Sequence, residues 1–500
     1  MDKPQLQSPA PVSQGARLDL PARAQKEMIA NGFIPDFEPK VLAEVASLDH
    51  VKLNSPDGSA DDLRSMLWSS IDNPESRDLD QIEVAEILPN GDIKVLIGIA
   101  DVDCFVPKGS LIDKHALNNT TSVYTGVKTF PMLPDALSFD LTSLIEGADR
   151  RALVIEVTVN AQGLVTRSGI YAAIVRNHAK LDYISVGEWF DTGGNPPEKI
   201  AAVPGLDQQL LLQKTVADRI HNARSKLGSL QLQTLEATPV VKNGDIIDLE
   251  LVEANQARDL IENLMIAGNI AISQFLEANN VPSLRRIVKK PERWDKIVAV
   301  ALEYGEKLPA EPNSRALSLF LLKRKKAAPD TYPDLSLTVV KLLGRGEYTV
   351  DVPGQEDEGH FALAVRDYTH ATAPNRRYPD LITQRLLKSL LAAKAGPYSE
   401  DELKELADHC TEMENAAKKV ERTIRKVAAA VLLSKHIGAV YDGIVTGAKQ
   451  DATYVRLLKP PAEGRIVKKG EGLDVGQKVK VKLIAVDAVQ AHIDFEAVGS

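Results

Sequence analysis

Apolar and polar positions alternate between residues 81 and 103. Ile82, Val84 and Ile87 precede Asn90-Gly91, and Ile93, Val95, Ile97 and Ile99 follow. A period of two is that of a half-buried strand, and Asn-Gly supplies the positive φ angles of a tight turn, so a β-hairpin is predicted. Further strands are expected over 152–159 and 164–174, joined at Gln162-Gly163, and a second hairpin is centred on Asn243-Gly244. Beyond 254 the period changes. Leu260, Ile261, Leu264, Met265, Ala267, Ile270 and Ala271 recur at helical spacing, which predicts a helix over 255–278. Residues 377–394 and 400–436 also read as helical. Near the start, Met28, Ile29 and Phe33, then Val41, Leu42, Val45 and Leu48, form two short stripes of the kind a small helix-turn-helix unit would show.

The last stretch differs again. Short runs at 441–448, 452–458, 464–467, 478–486 and 492–495 are separated by turns, and five short strands in this length suit an OB-fold barrel. The predicted class is therefore α+β. A mixed sheet with surrounding helices is expected over 61–437, a β-barrel over 438–500, and a tail with a small helical region over 1–60. Five hundred residues, 44% apolar and 26% charged, agree with several globular units.

The formal net charge of -9 does not suggest a polyanion partner. Its distribution is uneven. Basic runs occur at Arg285, Arg286, Lys289, Lys290, Arg293 and Lys296, at Lys323 to Lys326, and at Lys418, Lys419, Arg422, Arg425 and Lys426. Each run suits a solvated helix face as well as a binding surface. Cys104 and Cys410 are too few for a disulfide framework or a zinc motif. No apolar run approaches the roughly 18 residues that span a bilayer, and Met1 to Arg17 has no apolar core of a secretory signal. A cytoplasmic location without membrane association is the expectation.

Two segments carry candidate chemistry. The first is Asp72-Asn73-Pro74-Glu75-Ser76-Arg77-Asp78-Leu79-Asp80-Gln81, a loop that leads into the first hairpin. Asp78 and Asp80 are two apart and face one side of an extended chain. Hard cations take oxygen ligands, and phosphoryl chemistry uses such cations to neutralise developing charge. The same acids would also suit a solvated turn. The second segment runs from His360-Phe361 through Tyr368-Thr369-His370 to Ala373-Pro374-Asn375-Arg376-Arg377-Tyr378-Pro379-Asp380. Pro379 fits the first turn of a helix beginning near 377. That places Arg376 and Arg377 at a helix N-terminus, where an anion is already favoured and a guanidinium clamps a phosphate. Asp380 pairing with one of the arginines is the structural alternative.

Together these segments resemble the ribonuclease II (RNB) family. The acidic loop resembles its metal-binding signature. Ile99-Ala100-Asp101-Val102, Ser122-Val123-Tyr124, Pro131-Met132-Leu133-Pro134, Leu260-Ile261-Glu262-Asn263-Leu264-Met265 and the Tyr368–Leu381 run resemble further family elements in the same order. Glu421 stands where the family has a helix-borne glutamate. The resemblance covers roughly 62–500, including a C-terminal barrel of the ribosomal S1 type.

It implies a 3′-to-5′ hydrolytic exoribonuclease that degrades single-stranded RNA to 5′-nucleoside monophosphates with magnesium, or manganese, and no organic cofactor. Asp72, Asp78 and Asp80 would hold the metal. Arg376 would neutralise the scissile phosphate, with Asp80 and Arg376 as the catalytic pair. Tyr124, Glu262, Arg377 and Glu421 would contact the terminal nucleotides, and Tyr454 in the barrel would stack a base. Structural roles for these residues stay open: a half-buried tyrosine for Tyr124, surface acids for Glu262 and Glu421, a core tyrosine for Tyr454 and a packed or capping histidine for His370. Gln81 stands where the family has a fourth aspartate and would offer the metal a neutral oxygen in its place, and Ala373 and Asn375 replace the family's common Ser and Ile. A catalytically weak RNA-binding regulator and an RNA-processing scaffold are the alternative functions.

Overall fold

In the computed structural model, residues 18–48 and 60–498 are described, apart from 234, 236, 243, 253, 356–358 and 450–451. The Pro56-Asp57-Gly58 boundary and Asn243 lie outside the described residues. The Asn90-Gly91 hairpin forms as the alternation requires. Strand β3 (Gln81–Ile87) pairs antiparallel with β4 (Ile93–Ala100) in unbroken register from Gln81↔Ile99 to Ile87↔Ile93. Ile87 at the tip is solvent-exposed, so the apolar pattern overstates the buried length by one position. A small two-stranded unit, β5 (Val123–Tyr124) with β6 (Thr129–Phe130), follows in sequence.

The hairpin belongs to a seven-stranded mixed sheet. With β1 (Asp61–Asp62), β2 (Ser69–Asp72), β7 (Asp149–Val159), β8 (Val165–Arg176) and β9 (Ala179–Asp182), the order is β1-β8-β7-β4-β3-β2-β9. β2 runs parallel to β9 from Ser69↔Ala179 to Asp72↔Asp182 but pairs with β3 only at Ser69↔Glu83. The two strands therefore diverge, and the acidic loop crosses the gap.

The open edge of β3 still has backbone groups to satisfy. Two glutamines of the Leu206–Leu227 helix do this. Gln209 accepts the Ala85 N–H at 2.9 Å and donates to the Ala85 carbonyl at 2.7 Å, and Gln213 donates to the Glu83 carbonyl at 3.2 Å. The Gln256–Ala278 helix lies against the same sheet. At Gly268 an added Cβ would stand 3.2 Å from Ile97 Cδ1 and 3.4 Å from Ile155 Cδ1, so the missing side chain permits the close approach.

The first two helices, Leu20–Ala30 and Pro39–Ala46, dock on different partners: the Glu400–Leu433 helix and the Leu111–Asn119 helix. Met28, Phe33, Val41 and Val45 are buried, while Ile29 and Leu42 stay exposed. The last turns of the Glu400–Leu433 helix give Ala429, Ala430 and Leu433 to the core of the C-terminal barrel, alongside Val455, Leu457, Val481 and Phe495. That barrel is closed, with strands Val440–Lys449, Ala452–Leu457, Glu463–Lys468, His492–Ala497 and Lys478–Asp487 in spatial order. Arg456 clamps both oxygens of Asp334, on the Tyr332–Leu343 helix, and fixes the barrel's side.

Candidate active site

The acidic loop is held by side chains that sequence reading did not single out. Lys180 of β9 donates to the carbonyls of Pro74 at 2.9 Å and Ser76 at 2.5 Å. Ser143 Oγ donates to the Arg77 carbonyl at 2.6 Å and accepts the Leu79 N–H at 2.9 Å. This bracing fixes where Asp78 and Asp80 point. Nothing in their local sequence marks Lys180 or Ser143, because both arrive from distant strands and turns.

Asp80 is 1% exposed and has both carboxylate oxygens engaged. Oδ1 accepts the Asn375 N–H at 2.8 Å, and Oδ2 accepts the Arg376 Nε–H at 3.0 Å. Burial raises its pKa to about 7, against the opposing pull of Arg376. Asn375 is fixed in turn by Thr142, whose hydroxyl donates to its side-chain oxygen. Arg376 and Arg377 stand at the start of the Tyr378–Leu391 helix, with Pro379 in its first turn as predicted. The two arginines are pinned differently. Arg377 donates to Asp380 at 2.7 Å, the pairing the sequence left open, whereas Arg376 is held through Nε and keeps its terminal nitrogens for the adjoining cavity.

Tyr124 joins these segments. Its hydroxyl donates to Asp78 Oδ2, and its backbone N–H donates to Glu421 Oε1 at 3.1 Å. Ser122 N–H donates to the Arg376 carbonyl at 2.9 Å, which ties the Tyr124 strand to the arginines. Desolvation of the hydroxyl, then the Asp78 charge, raises the Tyr124 pKa and keeps it a donor. Tyr124, Arg376, Arg377 and Glu421 line a cavity of about 200 Å³. A larger one of about 1140 Å³ adjoins it, lined by Asp78, Tyr124, Arg258, Glu421, Arg425 and the hairpin that begins at Ala237.

Asp72, at the end of β2, has Oδ2 buried without a partner, and burial first of all raises its pKa to about 6. Gln81 is buried, and its side chain lies beside Asp72 and stabilises its charged form. Asp78 and Arg376 each act electrostatically on both Asp72 and Asp80. Among the described residues, however, no three acidic, histidine or cysteine side chains converge on one point.

Two expected contact residues lie elsewhere. Glu262 is exposed on the Gln256–Ala278 helix and interacts with Arg224 and Asp259. Tyr454 is 37% exposed on the barrel. His370 is packed: its Nδ1 meets the Tyr348 hydroxyl at 2.7 Å.

The fold and this convergence of acids, arginine and tyrosine define a protein of the RNB class. The RNB domain profile matches residues 60–393, which is most of the chain, and the profile of the RNase II-type exonuclease C-terminal S1 domain matches 439–498. The chain belongs to the RNB family. It is similar to ribonuclease R of Escherichia coli K12, 29% identical over 476 residues, covering 88% of this chain and 57% of that protein. Ribonuclease R of Thermotoga maritima is 25% identical over 471 residues, covering 87% and 64%. The chain thus spans less than two thirds of these relatives' length. The apo form of Mycoplasma genitalium RNase R has the same fold at TM-score 0.86 and 23% identity, covering 96% of this chain and 78% of that one. Yeast Ssd1, described as a pseudonuclease, matches at TM-score 0.71 and 17% identity, covering 92% and 57%.

Proposed function

We propose that the chain is a 3′-to-5′ exoribonuclease that hydrolyses single-stranded RNA to 5′-nucleoside monophosphates, using magnesium or manganese. The observation that carries this reading is the junction of Asp80 with Arg376 and of Asp78 with Tyr124 on one cavity wall. Arg376 is oriented by a buried carboxylate and presents its remaining N–H groups where a phosphate would lie. Tyr124 has an aromatic face for a base and a hydroxyl held by Asp78. Glu421 and Arg377 border the same space and would contact the terminal nucleotides. Tyr454 would stack a base further along the strand, and Glu262 would act from its own helix, outside these cavities.

The donor chemistry suits a hard cation, because Asp72 keeps a buried carboxylate oxygen without a hydrogen-bond donor. Asp72, with Asp78 and Asp80, would hold it. The cation would supply charge neutralisation at the phosphate and a more acidic water. The domain division proposed is the N-terminal helical region to residue 60, the catalytic unit over 61–437 and the RNA-binding barrel over 438–500. A cytoplasmic setting suits the RNA substrate, and among the described residues no helix is long and apolar enough to cross a membrane.

A second reading, an RNA-binding protein with weak or no catalysis, draws on the neutral Gln81 and on the lack of three convergent acids. One assay separates the two. RNA labelled at its 5′ end is incubated with magnesium, and the products are resolved beside mononucleotide standards. Progressive shortening from the 3′ end, stopped by EDTA, supports the exonuclease. Intact RNA that is retained in a gel shift overturns it in favour of the binder.

A further inference from the structure

We propose that Glu83 provides a further buried carboxylate of the cation site, so that a divalent cation held by Asp72 also meets Glu83. The inference rests on the metal-dependent reading above and assigns to this chain a ligand outside the acidic loop.

Glu83 lies on β3 and is 0% exposed, yet neither of its carboxylate oxygens has a hydrogen-bond partner. Directly opposite it in register is Ser69 of β2, whose hydroxyl oxygen is likewise buried and unpartnered. Asp72, three residues on along β2, contributes the unpartnered Oδ2. Glu83 feels the charge of Asp72, and Tyr183, at the start of the Tyr183–Thr192 helix, feels both. Buried oxygens without donors therefore stand on both strands where β2 and β3 begin to diverge. A carboxylate out of water requires a proton, a donor or a cation.

The protein's own cations nearby are engaged elsewhere. Lys180 donates to the carbonyls of Pro74 and Ser76. Arg258 donates to Asn73 Oδ1 at 2.9 Å and lies over the Tyr183 ring. Arg376 spends its Nε on Asp80; its charge and that of Lys180 act on Asp72, but neither donates to Asp72 Oδ2 or to Glu83. Two carboxylates and a hydroxyl, with no N–H donor on Asp72 Oδ2 or on either Glu83 oxygen, form an oxygen set suited to a hard cation. Gln81 precedes Glu83 by two positions on the same strand, hence on the same face. Its amide lies beside Asp72 and brings no charge. Glu83 is the further carboxyl on this face of the strand, and no donor reaches it.

The test is manganese binding to the full chain without RNA, followed by the loss of the free-ion EPR signal, so that no activity enters the readout. Wild type, Glu83→Gln and Asp72→Asn are compared. The expected result is a dissociation constant raised at least about tenfold in both variants. Wild-type affinity in Glu83→Gln, with weakened binding in Asp72→Asn, would overturn the role of Glu83 and leave the metal-dependent reading standing. Absence of manganese binding to the wild type at millimolar concentration would overturn both. Glu83→Gln keeps the side-chain shape and removes only the charge. If it does not fold, Glu83→Asp, which keeps the charge and shortens its reach by one methylene, is measured by the same criterion.

Discussion

Replacing Arg376 by lysine keeps a positive charge at the cavity and removes the planar fork. In the wild type, Nε is fixed on Asp80 at 3.0 Å, so the terminal nitrogens are presented with little freedom left. A lysine ammonium is a single point that either stays on Asp80 or leaves it for the phosphate. Loss of one preorganised donor to a developing negative charge costs about 10²–10³ in rate, or roughly 3–4 kcal/mol of the barrier. Arg376→Lys should therefore lower single-turnover mononucleotide release by that factor, while RNA affinity falls only a few-fold, since one phosphate contact among many is disturbed.

Stability has to be checked separately. Arg376→Ala leaves Asp80 Oδ2 without its donor in a carboxylate that is 1% exposed. An orphaned buried acceptor costs about 1–3 kcal/mol. The Arg376 side chain is 43% exposed, so water reaches the site and the lower end applies. Urea unfolding should show a loss near 1 kcal/mol for alanine and less for lysine, too little to empty the native state. Arg376→Lys with a rate within tenfold of wild type would refute the reasoning, because it would show that charge alone, not the anchored geometry, is used.

Asp80→Asn should abolish cleavage while filter-binding affinity for a nuclease-resistant RNA stays within a few-fold, because the residue acts on the reacting end; parallel loss of both would contradict this. Tyr454→Ala should weaken RNA binding by about 1–3 kcal/mol with the maximal rate unchanged, as expected for one lost stacking face, and unchanged affinity would remove Tyr454 from the interface. His360 is held neutral by burial and by Arg286, with a pKa lowered to about 4 from 6.5. The unfolded chain therefore binds the proton first, and stability from this group is lost as pH falls from 6.5 to 4, by up to about 3 kcal/mol. Urea titrations of wild type and His360→Asn should converge over that window; a constant difference between them would dismiss the histidine as the cause.

Much of the architecture was legible because it rests on period and turn chemistry. Asn90-Gly91 and the apolar alternation around it specify the β3–β4 register. The helical spacing of Leu260 to Ala271 specifies the 256–278 helix, and the C-terminal strands fall where the apolar runs place them. Pro379 and the paired arginines marked a helix start with an anion-facing end. What sequence could not give is long-range pairing. Asn375, read only as a departure from the family, turns out to hold Asp80 through its backbone N–H, and any residue there except proline would supply that donor. Glu83 stands between the apolar Ile82 and Val84 and drew no notice in the sequence, yet it is fully buried, because the Leu206–Leu227 and Gln256–Ala278 helices cover that part of the sheet. The Arg285–Arg286 pair read as part of a basic surface. Both are buried in a strand, with Arg285 on Asp351 and Arg286 on Glu414, so they contribute to packing and not to an exposed patch.

That reassignment changes how the net charge of -9 relates to a polyanionic substrate. The larger cavity is lined by four cations, Arg77, Lys128, Arg258 and Arg425, and by four carboxylates, Glu75, Asp78, Glu250 and Glu421, so its formal charge is zero. Asp72 and Asp80 add two negative charges beside it when ionised. A phosphate chain entering this space gains little from the lining as a whole and meets repulsion at its acidic end. A divalent cation at Asp72 would reverse the sign there. It follows that removing an acid from this end should not weaken RNA binding even where it stops the chemistry, because the acid opposes the phosphate until a cation is present. Affinity that depends on phosphate contacts must then come from Arg376, Arg377 and the cations further along the cavity and barrel. On the proposed function, the acidic end would set where hydrolysis occurs.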